Sequence, residues 1–123
     1  RTLLIRAVGP GLGALGIPQS TLLGDPLITV LSGSTTVTSN NNWSQGGATG
    51  QAAALGAAFP AVGAFALRSA SNDAALVTAL AAGNFTLQAA AAPALNANLN
   101  LSQSTAAAPN PTGTVLVEVY EVP

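Results

Sequence analysis

Hydrophobic and polar positions alternate most cleanly at the end of the chain. Residues 114–122 (TVLVEVYEV) put Val115, Val117, Val119 and Glu121 on one face and Leu116, Glu118, Tyr120 and Val122 on the other. That period of two predicts a strand, the strongest in the sequence. Residues 1–8 (RTLLIRAV) predict another, rich in branched side chains and closed by Gly9-Pro10. Residues 27–31 (LITVL) and 35–39 (TTVTS) flank Ser32-Gly33-Ser34 and read as a hairpin. Residues 64–67 (AFAL) form a short strand candidate. Residues 73–80 (DAALVTAL) and 84–91 (NFTLQAAA) are two more, separated by the hairpin-length link Ala81-Ala82-Gly83. In residues 95–101 (LNANLNL), leucines alternate with asparagines and predict a further edge strand.

Glycine and proline punctuate residues 9–26 (GPGLGALGIPQSTLLGDP) too densely for a helix. That stretch reads as a long loop whose leucines pack onto the core. Residues 51–59 (QAAALGAAF) form the one helix candidate, weakened by Gly56 and stopped by Pro60. Six or seven short strands with at most one short helix indicate an all-β fold, an antiparallel, jelly-roll-like β-sandwich spanning residues 1–123 as one domain. The alternative is an α+β domain with the helix packed on one sheet.

Composition adds an oddity to this pattern. Hydrophobic residues make up 49% of the 123 residues and charged ones only 6%, with a net charge of −1; an average globular chain is about 25% charged. Mean hydropathy is +0.48. A surface so poor in charge is either neutral, built of Ser, Thr, Asn and Gln, or covered by other copies of the chain. The sequence contains no His and no Cys. Cysteine or histidine metal sites, disulfides and Ser-His or Cys-His catalysis are therefore excluded. Three basic residues in all are too few for a nucleic-acid footprint. No apolar run approaches the ~20 residues of a membrane helix, so no membrane span is expected. The chain opens on Arg1 rather than Met, which reads as a processed chain or a piece of a longer one.

Several motifs carry candidate chemistry. Gly11, Gly13 and Gly16 match the spacing of a dinucleotide loop, but Pro18 stands where its helix should run and no acid ends the next strand. A tight Gly/Pro loop is expected instead, and no cofactor. The carboxylates Asp25, Asp73, Glu118 and Glu121 offer no catalytic pair, since Glu118 and Glu121 face opposite ways and each Asp stands just before a strand. Arg6 interrupts an apolar strand and needs a partner or an exit to solvent; Asp25 and Asp73 are the expected partners in a half-buried ion pair. Asn40, Asn41 and Asn42 with Asp25 or Asp73 could offer oxygens to Ca²⁺, but neutral amides make a weak set, and an Asn-rich turn without a metal is the expectation. Trp43 beside Asn42 is the one aromatic in a loop context and the candidate contact for a glycan.

The order of the blocks LLIRAVGPGL, DPLITVLSG, SNNNW, GAFAL, DAALVTALAAGNFTLQ and VLVEVYEVP resembles a β-rich domain of large secreted bacterial proteins. The central part is more distantly similar to the bacterial pre-peptidase C-terminal β-sandwich domain. The resemblance covers nearly the whole chain. It implies secretion, an extracellular or cell-surface location, and a structural or accessory role without catalysis. This chain departs from the first family's pattern at Asn41, where an Asp is usual, and at Phe85, where a Tyr is usual. The family's pattern also places a strand before the Ile-Arg block, and its absence here would leave a sheet edge open to strand addition.

These readings converge on a non-enzymatic structural subunit of an extracellular bacterial assembly, a filament or surface layer of identical copies. Residues 1–8, 89–101 and 114–122 are its candidate interface segments. The alternative is a carbohydrate- or surface-binding accessory module of a longer secreted protein, anchored by Trp43.

Overall fold

The period-two segments become strands in the computed structural model, which describes residues 1–44, 51–92 and 111–123. Among these residues, six strands form two antiparallel three-stranded sheets. They are β1 (Thr2–Val8), β2 (Pro26–Ser32), β3 (Thr35–Asn40), β4 (Ala74–Ala79), β5 (Thr86–Ala91) and β6 (Leu116–Glu121). One sheet has the order β4-β1-β6 and the other β3-β2-β5. A helix, α1 (Gln51–Ala61), and two short 3-10 helices, Pro10–Leu15 and Gln19–Thr21, complete the elements. This is an all-β sandwich with one short helix.

The nearly unbroken apolar run of β1 reflects its position. It is the central strand of its sheet, and both its faces are covered. On one face Ile5 and Ala7, with Ala74 and Leu76 of β4, pack against Ile28 and Val30 of the second sheet. On the other, Leu4 and Val8, with Ala75, pack against Leu12, Leu22, Trp43, Leu55 and Phe59. The sheet β4-β1-β6 is thus a middle layer, with the second sheet on one side and α1 with the loops on the other. The interface candidate 1–8 is corrected here. Leu4, Ile5, Ala7 and Val8 are buried, and β1 is paired on both sides, so no edge opens beside it.

The β2–β3 hairpin closes through Gly33 and Ser34, with Gly33 at φ 61. A positive φ at the first turn residue alone is the type II′ geometry that matches strand twist. The pairing then slips: Val30 faces Thr38 but Leu31 faces Thr36. Val37 is the extra residue, a β-bulge.

Three local expectations change. The helix runs past Pro60 to Ala61; proline removes an N–H but does not stop the residue after it from completing the last turn. Residues 64–67 are not a strand, because their backbone serves other partners: the Phe65 carbonyl accepts from Arg6, and the Ala64 N–H caps α1 at Phe59. Ala81-Ala82-Gly83 is not a hairpin link, since β4 pairs with β1 and β5 with β2; it carries the chain from one sheet to the other. The strand expected at 95–101 lies outside the described residues.

Candidate functional site

Arg6 is completely buried, not half-buried. Its Nε donates to Glu118 Oε1 at 2.9 Å and its Nη1 to the Phe65 carbonyl at 2.6 Å. Nη2 lies 2.8 Å from the same Glu118 oxygen, without a straight N–H···O line. The guanidinium is stacked between the rings of Phe59 and Phe65, 4.8 and 4.5 Å from their centroids, where a cation meets the negative faces of both. Tyr120 donates its hydroxyl to Glu118 Oε2 at 2.5 Å. That donation, with desolvation and the charge of Glu118, holds the Tyr120 phenol above its ordinary value. The network ties β1, β6, α1 and residues 64–67 together, and every charge in it is compensated.

The partner expected for Arg6 is thereby corrected. Glu118 takes the place assigned to Asp25 and Asp73. Arg6 and Glu118 face each other because β1 and β6 are neighbours, with Arg6 opposite Glu118 in register. The signal is present in the sequence, a charge interrupting each of two apolar strands, but only the strand order brings the two together.

Asp73, also completely buried, is held by the loop that resembles a dinucleotide site. Its Oδ1 accepts from the N–H groups of Gly9 (2.8 Å) and Gly11 (3.0 Å), and its Oδ2 from the Ser71 hydroxyl (2.8 Å). The backbone donors that would cradle a phosphate are thus occupied by a carboxylate of the same chain. Gly11 is required by closeness: a Cβ there would stand 2.8 Å from Asp73 Oδ2 and 2.9 Å from Val8. The loop continues into a 3-10 helix and not an α-helix.

A cleft of about 890 Å³ lies beside this knot, lined among others by Pro10, Gln19, Arg68, Ser71, Asn72 and Asp73. Its rim includes Ala70 at φ 64, a left-handed conformation held by donation of its N–H to Ser44 Oγ at 2.7 Å. Asp73, the carboxylate of the lining, has both oxygens engaged within the chain. In the lining the Ser71 hydroxyl donates to Asp73, whose other oxygen is held by the Gly9 and Gly11 N–H groups, and Asp73 is the one carboxylate among the described residues there. Among the described residues, no group of three or more His, Cys, Asp or Glu is placed to hold a metal ion. The Asn-rich turn works structurally: Asn40 Oδ1 accepts the Ala75 N–H at 3.0 Å, and Asn42 is buried.

Trp43 is not a surface platform. It is buried, its indole N–H donates to the Arg68 carbonyl at 2.9 Å, and its ring centroid lies 5.2 Å from that of Phe59. It anchors the 41–44 turn to the core and offers no face to a sugar. Asp25 is buried just before β2, and burial pushes its carboxyl up to about 6.

The remaining feature is on β6. Its Glu118 and Tyr120, with Val122 just beyond it, face α1 and the loops and are half-buried. Val117 and Val119 lie on the other face, with Ala7 and Ile5 opposite them in register, where the second sheet should cover them. Instead Val117 is 42% exposed and Val119 54%. The inter-sheet layer runs out before it reaches β6. Among the described residues no strand lies beyond β6 in its sheet. Of the three interface candidates, 114–122 therefore falls on the last described strand of its sheet, while most of 89–101 lies outside the described residues. Compared with known proteins, the chain matches no family model, no curated protein and no solved structure.

Proposed function

We propose that this chain is a non-enzymatic structural subunit that associates with copies of itself, in an extracellular bacterial assembly such as a filament or surface layer. The observation that carries the reading is the uncovered apolar face of an edge strand, Val117 and Val119 on β6. Natural edges are usually guarded by lysine, proline or a bulge. β6 has six uninterrupted register pairs with β1 and no lysine. The low charge supports the same reading, because a chain with a net charge of −1 has little to keep its copies apart. The extracellular setting rests on the order of sequence blocks that resembles a domain of secreted bacterial proteins. Carbohydrate binding through Trp43 loses its support, since that ring is buried in the core.

Sedimentation over a wide concentration range, with electron microscopy of the concentrated sample, tests the proposal. Association that grows with concentration is expected, and added salt should not dissolve it, because screening acts on charges and not on apolar contact. A monomer at millimolar concentration would overturn the proposal.

A further inference from the structure

The edge of β6 that faces no described strand is specific in its hydrogen bonding. The Val122 N–H donates to the Thr2 carbonyl at 2.8 Å. In an antiparallel ladder, bonding direction alternates along the strand. Leu116, Glu118 and Tyr120 therefore bond toward β1, while Val117, Val119 and Glu121 turn their N–H and C=O groups outward. Leu116 is exposed as well, but on the face toward α1; on the face toward the second sheet, the uncovered Val117 and Val119 are also residues with outward-facing backbone groups.

We infer that β6 pairs antiparallel with β6 of a second copy about a two-fold axis through Val119. This deepens the self-association proposed above and rests on it. Any residue of β6 can lie on such an axis, since outward residues then always face outward residues. But an axis at Glu118 sets two carboxylates face to face, one at Tyr120 brings Pro123, which has no N–H, opposite Val117, and one at Leu116 needs residues 113–115 as strand. An axis at Glu121 sets two carboxylates face to face, which is destabilising, and brings Pro123, which has no N–H, opposite Val119. An axis at Val117 needs residues 113–115 as strand. They are already committed, because the Thr114 N–H donates to the Thr21 carbonyl and the Thr114 carbonyl accepts from the Leu23 N–H. An axis at Val119 avoids these conflicts. Val119 faces Val119, Val117 faces Glu121 and Glu118 faces Tyr120, so no like charges are opposed. Each of the outward pairs exchanges two N–H···O bonds. The uncovered valines of both copies come together on one face, and the sheet continues as β4-β1-β6-β6-β1-β4. Such a contact is self-complementary and closes on itself, so it makes a pair; a larger assembly grows by joining pairs through a second surface.

Disulfide trapping tests the register. The chain has no cysteine of its own, and residues directly opposed in a hydrogen-bonded pair have Cα atoms ~5.5 Å apart, within the span of a disulfide. Val119→Cys under mild oxidation should give a covalent dimer at least about tenfold faster than Val37→Cys on the edge strand β3. Both positions are exposed, so both variants should fold. Sedimentation of the unsubstituted chain is measured alongside. Association together with fast trapping at 119 supports the inference. Association with equal or slower trapping at 119 overturns this register and leaves self-association standing. A monomer that traps at neither position overturns both. A monomer whose 117, 119 and 121 amides are nonetheless protected from exchange also overturns both, and assigns the edge to another part of the same chain.

Discussion

β3 and β6 are both edge strands, one in each sheet, and they end their sheets differently. β3 (TTVTSN) is polar and is broken by a bulge at Val37. Its one large apolar side chain is the residue squeezed out of register. β6 (LVEVYE) is regular, mostly apolar, and carries a buried ion pair on one face and bare valines on the other. A bulge twists an edge away from regular pairing. β3 is therefore a finished edge and β6 an unfinished one. On the self-association proposed above, low overall charge does not make every surface adhesive; the proposed contact is where uncovered valines and outward backbone groups coincide.

The largest expected effect separates the strands by their inward faces. Glu118→Ala leaves the completely buried Arg6 without its carboxylate, and should cost ~3–5 kcal/mol, read as the shift in urea midpoint. Thr36→Ala on β3, at an exposed position, should change stability by less than about 0.5 kcal/mol. Equal effects would break the comparison.

A smaller effect belongs to the sheet that holds β3. Asp25 stands at the entry to β2, and its carboxyl is raised from 3.8 to about 6 by burial. The folded state then binds this proton more tightly than the unfolded state. Its contribution is fully present below about pH 4 and is lost as pH rises through 6. Unfolding free energy should fall by ~1 kcal/mol from pH 5 to pH 7.5, and Asp25→Asn should flatten the dependence. With no histidine in the chain, no imidazole obscures the test. A stability that rises across that interval would contradict the assignment.

The smallest effect on folding should be the largest on association. Val119→Lys places a charge on an exposed edge position and should alter the monomer's stability by less than about 0.5 kcal/mol. It should nevertheless remove the β6–β6 dimer from concentration-dependent sedimentation. Val37→Lys should leave association unchanged.

Much of the fold is legible in the local pattern. The hairpin, the first strand and the last strand can be read from alternation and from Gly33. The connections that decide function are not local. The unbroken apolar character of β1 predicts burial but not which strands flank it, so the sequence alone matches Arg6 to the wrong carboxylates. The alternation of residues 114–122 predicts a strand but not its place in a sheet; among the described residues β6 lies at an edge, with Val117 and Val119 uncovered. Residues 64–67 look like a strand, but the Phe65 carbonyl is taken by Arg6. Trp43 sits in an exposed-looking polar sequence, and only the fold shows its indole turned onto Phe59.

Residue-resolved hydrogen exchange at low and high protein concentration tests the unfinished edge most directly. The amides of Leu116, Glu118 and Tyr120, bonded toward β1, should be protected at both concentrations. Those of Val117, Val119 and Glu121 should exchange quickly when dilute and slow at least about tenfold when concentrated. Alternate amides that exchange at the same rate at every concentration would contradict the account.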